Sequence, residues 1–323
     1  MKWFLGGINL NKSFECIDAG SIYCPCKLAD TNNCISCSHL NGGDCCDCRW
    51  NGVCILYEYY MNGKKTKPMR KEFSCKIDER NLINENLMLL KIEGNEDMAE
   101  ELKNPGTYVF LRNYEDVNYY DSPMSVMDIC ENKIIIVYQI RGNKTKRLSQ
   151  GDKVIIRGPY WNGILGVKSL NKIYNSNCLI AARGIGQSSV VLVTKFLSER
   201  NNKIYLLIDK GNINSIYIKE YIDKLNNVEI IEKNLMENEG EKSIDEIFSR
   251  DHIALVFSAG SDILHQRVSD IIKKCPKDLN FMVTNNNILC CGEGICGSCV
   301  KRLNSGYKVR ACKTSINPKE IFK

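Results

Sequence analysis

Cys178-Leu-Ile-Ala-Ala182 runs into Arg183-Gly184-Ile185-Gly186-Gln187-Ser188-Ser189 and then into a helical stretch, and this strand–turn–helix reading decides the fold. Two glycines stand where the chain must turn tightly and present helix N-terminal N–H groups, an arrangement able to hold a pyrophosphate. A bare G-x-G also serves as a plain β–α turn, so its surroundings matter. They repeat the unit. Helix 187–199 follows the first strand; Lys203-Ile-Tyr-Leu-Leu-Ile-Asp209 is followed by helix 216–225, Val228-Glu-Ile-Ile231 by helix 243–249, and Ile253-Ala-Leu-Val-Phe-Ser258 by helix 262–273, with Phe281-Met-Val-Thr284 as a further strand. Apolar strands alternating with helices predict an α/β domain with a parallel sheet covered on both faces. Ser258-Ala259-Gly260-Ser261-Asp262 adds a second glycine turn at the C-terminal edge, where ligands of such sheets collect. Asp209 ends the second strand, placed to accept from a ribose 2′-OH and favour NADH, while adjacent Lys210 pulls toward NADPH.

Upstream the texture differs. Asn86-Leu-Met-Leu-Leu-Lys-Ile92, Thr107-Tyr-Val-Phe-Leu-Arg112, Lys133-Ile-Ile-Ile-Val-Tyr-Gln-Ile140 and Lys153-Val-Ile-Ile-Arg157 are short apolar segments separated by stretches rich in Gly, Pro, Asn or Asp. They predict a small antiparallel β-barrel.

Downstream, Cys291-Gly-Glu-Gly-Ile-Cys296-Gly-Ser-Cys299 is followed thirteen positions on by Cys312. C-x4-C-x2-C with a later fourth cysteine is the plant-type arrangement for a [2Fe–2S] cluster, and small intervening residues let the loop wrap it. Zinc is the alternative for four thiolates, although its pairs are usually spaced C-x2-C. Cys290 is a neighbouring candidate, but it would lengthen the first interval.

The chain carries 18 cysteines in 323 residues, and only Cys130, Cys178 and Cys275 lie between Cys75 and Cys290. Nine fall between Cys16 and Cys54, among Asp, Asn, Gly and Pro and with little periodic apolar pattern, so this stretch is expected to fold around metal. The favoured ligands are Cys24, Cys26, Cys34, Cys37, Cys45, Cys46, Cys48 and Cys54, with Cys16 and Cys75 as thiols or substitutes. One or two [4Fe–4S] clusters or zinc suit them; the C-x2-C pair at 34 and 37 favours zinc and the C-x-C groups a cubane.

The opening Met1–Leu10 has too short an apolar run for a signal peptide and no segment reaches the length of a membrane span, so a reducing, cytoplasmic setting is expected. A net charge of +6 with scattered lysines reads as a solvated surface rather than a nucleic-acid site. The three histidines form no ligand spacing; His252 reads as a strand start and His265 as part of a helix.

On these motifs, residues 77–323 resemble the iron–sulfur electron-transfer subunit of heterodimeric dihydroorotate dehydrogenase, within the ferredoxin–NADP reductase superfamily. The resemblance implies an FAD-binding barrel, an NAD-binding domain and a C-terminal [2Fe–2S] loop that exchange electrons between NAD(P)H and a catalytic oxidoreductase partner, a dihydroorotate dehydrogenase-like protein or another dehydrogenase. The flavin motif R-P-x-S falls on Ser122-Pro123-Met124-Ser125, and G-x-G-T on Gly142-Asn143-Lys144-Thr145. The resemblance puts Ser125 at the flavin ring and Lys144 and Thr145 by its phosphates. It aligns the nucleotide loop with Ala182–Gly186 and a C-G-P segment with Ser258–Gly260. The chain departs from the family at Ser122, where an arginine neutralises the flavin pyrophosphate; Asp121 adds the wrong sign, leaving Arg141 and Lys144 to supply charge. Arg183 replaces a glycine, and Ser258 a cysteine that lies near the nicotinamide in relatives.

The expected architecture is multidomain: a cysteine-rich metal module over 1–76, the FAD-type barrel over 77–170, the NAD-type α/β domain over 171–280 and the [2Fe–2S] domain over 281–323. No positioned base, nucleophile or carboxylate pair is evident, so substrate chemistry is assigned to the partner. The competing expectation is a non-enzymatic iron–sulfur wiring or assembly subunit that has lost flavin, nicotinamide or both.

Overall fold

A computed structural model describes residues 14–48, 50–274 and 279–322; the opening Met1–Leu10 and Cys275 lie outside them. The chain divides into two compact units, Lys71–Asn286 with Asn317–Lys323, and Met1–Arg70 with Asn287–Ile316.

In the first, β1 (Glu72–Asn84), β2 (Leu87–Glu93), β3 (Tyr108–Asn113), β4 (Ser122–Ser125), β5 (Asp128–Cys130), β6 (Lys133–Gln139) and β7 (Lys153–Tyr160) form a seven-stranded antiparallel sheet in the order β4-β3-β7-β1-β2-β6-β5. β1 pairs with β7 along its first half and with β2 along its second, with register shifts at Ile77/Glu79 and Leu82/Asn84. Such irregularities bend a strand, and the sheet curls into a half-barrel. Leu90, Ile92, Val109, Leu111, Ile134, Ile136, Val154 and Ile156 fill its concave face. Cys75 belongs here as well. It is buried in this core, with its thiol pushed up to about 11 by desolvation.

The second sheet comprises β8 (Ile164–Leu165), β9 (Asn177–Arg183), β10 (Lys203–Asp209), β11 (Val228–Glu232), β12 (Ile253–Ala259) and β13 (Asn280–Thr284), ordered β11-β10-β9-β12-β13-β8. Five strands run parallel, as their unbroken apolar runs require for burial on both faces. The sheet is nevertheless mixed, because the two residues of β8 pair antiparallel with Val283 and Thr284 at its edge. The connecting helices are Gln187–Ser198, Lys219–Ile222, Asn238–Arg250 and Asp262–Ile272. The strand order reverses between β9 and β12, which makes their C-terminal ends the switch point where open sheets take ligands.

The second unit holds helices Lys27–Asp30 and Ile55–Met61 and a hairpin of β14 (Val300–Arg302) and β15 (Lys308–Arg310). A small apolar cluster of Ala29, Cys37, Leu40 and Ile55, flanked by Cys24, Cys34 and Trp50, supports the N-terminal part. The two cysteine-rich segments are tied by backbone: Ile17 N donates to Lys313 O at 2.7 Å, Ser315 N to Glu15 O at 2.8 Å, and Cys16 bridges Thr314. Among the described residues no helix is long and apolar enough to cross a membrane.

Candidate functional site: the cysteine loop and the nucleotide-type turns

Gly292, Gly294 and Gly297 all have left-handed φ, of 71°, 77° and 75°, and fold the 291–299 loop back on itself. At Gly294 space also excludes a side chain, since a Cβ would stand 3.0 Å from Leu28 Cδ1 and 3.2 Å from Lys313 Cγ. The loop turns Glu293 N toward Cys291 Sγ at 3.3 Å. Cys299 and Cys312 are buried, and Ala311 N donates to Cys299 O at 3.0 Å. Hydrogen bonding with Cys312 holds the Cys291 and Cys299 thiols below the ordinary range, with Cys296 also bonded to Cys291, and Cys312 is pushed up in return. Cys296 is exposed on the same loop, 3.4 Å from Ser298 Oγ, and Cys290 is exposed beside it. The loop therefore brings Cys291 and Cys299 each within hydrogen-bonding reach of Cys312, with Cys296 exposed on the same loop, but among the described residues no three of these thiols are arranged to hold a metal ion.

Of the N-terminal cysteines, Cys37 is buried, Cys24, Cys26, Cys34 and Cys48 are half-buried, and Cys45, Cys46 and Cys54 are exposed. Burial pushes Cys24 up to about 12 and Cys34 up to about 11, because desolvation disfavours the thiolate. Cys46 and Cys48 lie 3.9 Å apart. Among the described residues, no group of three or more His, Cys, Asp or Glu side chains is arranged to hold a metal ion.

At the switch point the two glycine turns meet. A Cβ on Gly186 would stand 2.2 Å from Ala259 O, so the turn after β9 packs directly on the end of β12. Arg183 Nε donates to Asp209 Oδ2 at 2.8 Å, and Asp209 also accepts from Gly211 N at 2.8 Å and Leu235 N at 3.0 Å. Arg183, Asp209, Lys210, Glu232, Lys233 and Glu239 line a cleft of about 380 Å³. The first helix N–H groups are partly engaged: Ser188 N donates to Tyr217 Oη at 3.0 Å. Gln187 is fully buried and its Oε1 has no partner among the described residues. Ser258 Oγ is buried 2.9 Å from His265 Nδ1, while Asn286 Nδ2 donates to Gly260 O at 2.7 Å.

In the half-barrel, Ser122 is buried and donates to Tyr120 O at 3.3 Å, Pro123 is exposed, and Ser125 is half-buried at the end of β4. Asp121 is not a bare negative charge. Arg112 on β3 and Arg157 on β7 reach its carboxylate at 2.8 and 2.9 Å, and Arg112 also pairs with Glu72 at 2.6 Å. Sequence reasoning missed both arginines, which offset the Asp121 charge without replacing the arginine that Ser122 displaces. The signal was a charge inside each of two apolar strands. Lys144 Nζ donates to Asp121 O at 3.2 Å, so β4 and the 142–145 turn are adjacent. Thr145 Oγ1 accepts from Arg141 N at 2.9 Å and Gly142 N at 3.1 Å, and the Arg141 side chain bonds Gln139.

The fold is similar to that of a solved structure: a chain of NADH-dependent reduced ferredoxin–NADP oxidoreductase superposes with a TM-score of 0.59 at 18% identity, over 79% of this chain and 92% of that one. In sequence the chain is similar to the electron transfer subunits of dihydroorotate dehydrogenase B (NAD(+)) from Clostridium perfringens, at 26% identity over 75% of this chain and 93% of that protein, and from Clostridium acetobutylicum, at 25% over 76% and 94%. No protein-family model matches. This is a distant but consistent match.

Proposed function

We propose that this chain is the electron-transfer subunit of an oxidoreductase, passing electrons between NAD(P)H and a partner subunit that carries the substrate chemistry. The observation that carries the reading is the plant-type spacing of Cys291, Cys296, Cys299 and Cys312, the first three on a loop that three left-handed glycines fold back on itself. A flavin and a [2Fe–2S] centre supply the conversion between hydride and single electrons. Cys291, Cys296, Cys299 and Cys312 would ligate the cluster, and the Glu293 amide would offset charge on Cys291.

The half-barrel residues fit FAD in charge. With Asp121 neutralised by Arg112 and Arg157, the exposed cations Arg141 and Lys144 are held only by surface contacts and can turn to a pyrophosphate. Gly142 and Thr145 would shape that end, and Ser122, Pro123 and Ser125 the ring end. Arg183, Gly184, Gly186, Asp209 and Gly260 would take the nicotinamide dinucleotide at the switch point. Cys24, Cys26, Cys34, Cys37, Cys45, Cys46, Cys48 and Cys54 are the ligand set of an N-terminal centre in this reading, with one or two [4Fe–4S] clusters as the occupant and zinc as the alternative; among the described residues no three of these side chains are already arranged around a metal position. The partner is a catalytic oxidoreductase subunit, with a dihydroorotate dehydrogenase-like protein as the first candidate.

One observation favours a second reading, an iron–sulfur wiring subunit without flavin or nicotinamide. The Arg141, Gly142 and Ser188 amides that face the two phosphate positions already have partners in Thr145 Oγ1 and Tyr217 Oη. Anaerobic purification of the full chain with quantitation of iron, zinc, sulfide and FAD separates the two. Stoichiometric FAD supports the first reading, and intact clusters without flavin support the second.

A further inference from the structure

Four charged side chains are buried together in the unit formed by the N-terminal segment and the cysteine loop. The side chains of Asp18, Arg70, Glu293 and Lys313 are 3%, 1%, 6% and 0% exposed. Arg70 donates to the two Asp18 oxygens at 2.8 and 3.1 Å and to Glu293 Oε2 at 3.3 Å; Lys313 donates to Glu293 Oε2 at 3.0 Å and to Asp18 Oδ2. The Arg70 guanidinium also lies 4.1 Å from the Tyr23 ring centroid. Two cations and two anions sum to zero, and removing any one leaves an uncompensated charge in a dry interior.

Apolar packing at the same place would serve stability as well, so a complete buried ionic network points to a role beyond it. Its position supplies the role. Glu293 lies inside the loop between Cys291 and Cys296, and its own N–H points at Cys291 Sγ. Lys313 directly follows Cys312, and its Cγ is among the atoms nearest Gly294. Asp18 and Arg70 come from the other end of the chain.

We infer that Asp18 and Arg70 are positioning residues for the redox loop, and that by balancing Glu293 and Lys313 they set the electrostatic environment of the thiolates. The N-terminal segment is thus the element that tunes the midpoint potential of the C-terminal centre. The inference rests on the reading of Cys291, Cys296, Cys299 and Cys312 as cluster ligands. Reduction adds a negative charge, so a nearby unbalanced positive charge favours the reduced state and an unbalanced negative charge opposes it, strongly where the dielectric is low.

The test is a redox titration of the full-length protein, prepared anaerobically and followed by the paramagnetic resonance signal of the reduced [2Fe–2S] centre, in wild type, Asp18→Asn, Lys313→Met and the double variant. Asp18→Asn should raise the midpoint potential, Lys313→Met should lower it, and the double variant, neutral again, should return close to wild type. Single-variant shifts of the same sign, or none with the cluster intact, overturn the inference. Should the singles lose the cluster, the double variant decides: a cluster at wild-type potential sustains the inference, and a folded protein with a missing or displaced signal overturns it. A wild-type protein that has no [2Fe–2S] signal overturns the ligand reading itself, and this inference with it.

Discussion

Arg183 Nε and Asp209 Oδ2 are joined by a 2.8 Å charge-assisted hydrogen bond across the C-terminal ends of β9 and β10. The pair reconciles two features that conflict in the sequence. An arginine in place of a small residue need not fill the nucleotide cleft, because Asp209 draws it to the wall.

On the proposed function, the pair would set cofactor preference. Arg183→Ala removes a cation and leaves the Asp209 charge exposed to any 2′-phosphate. NADPH binding should weaken more than NADH binding, by about tenfold or more for one charge-assisted contact worth roughly 1.5–3 kcal/mol. Calorimetric titration with each dinucleotide checks this, and equal losses for both would contradict it.

Gly186 is a packing residue as much as a turn residue. Gly186→Ala places a methyl 2.2 Å from Ala259 O and 2.8 Å from Gly260 N, both backbone atoms that cannot move aside cheaply. Denaturant unfolding should show a loss of about 1–3 kcal/mol or more. A variant as stable as wild type would mean that the two turns do not meet.

His265 gives the reductase-like unit an acid-sensitive point. Burial lowers its imidazole to about 4, against the opposing pull of Asp262 and Thr284. Above about pH 6.5 both the folded and unfolded forms are neutral. Between about 6.5 and 4 the unfolded chain takes the proton first, so stability falls with pH by roughly 3 kcal/mol and then levels off. His265→Gln should flatten that slope in denaturant titrations between pH 7.5 and 4. An unchanged slope would assign the acid sensitivity elsewhere.

Cys296 is the exposed member of the C-terminal set and the one most safely replaced. Cys296→Ser should change or abolish the reduced-state signal of the [2Fe–2S] centre and leave the N-terminal metal content in place. Unchanged iron and an unchanged spectrum would exclude this cysteine as a ligand, and Cys290 would be the next to replace.

Legibility in the sequence followed burial. β9, β10 and β12 were readable because strands covered on both faces are apolar throughout. β1 was not, since most of its side chains are exposed and it shows no apolar run. Helix Asn238–Arg250 starts five residues before the expected 243, because Gly240 reads as a breaker. The structure needs it there: a Cβ would stand 2.7 Å from Asn234 O. The charge pairs were illegible for another reason. Lys313 and Asp18 are 295 positions apart and Arg157 and Asp121 are 36, and no local pattern encodes which charges meet. The small antiparallel β-barrel expected over 77–170 is a curled half-barrel, and the expected parallel sheet is mixed, because β8 follows β7 in sequence yet pairs antiparallel with β13.

The most direct test of the central claim is an anaerobic titration of the purified full-length chain with NADH, recording the visible spectrum and the paramagnetic resonance signal together. The account predicts bleaching of a flavin band followed by appearance of a reduced [2Fe–2S] signal that Cys296→Ser alters. A protein with intact clusters, no flavin and no response to NADH would contradict it.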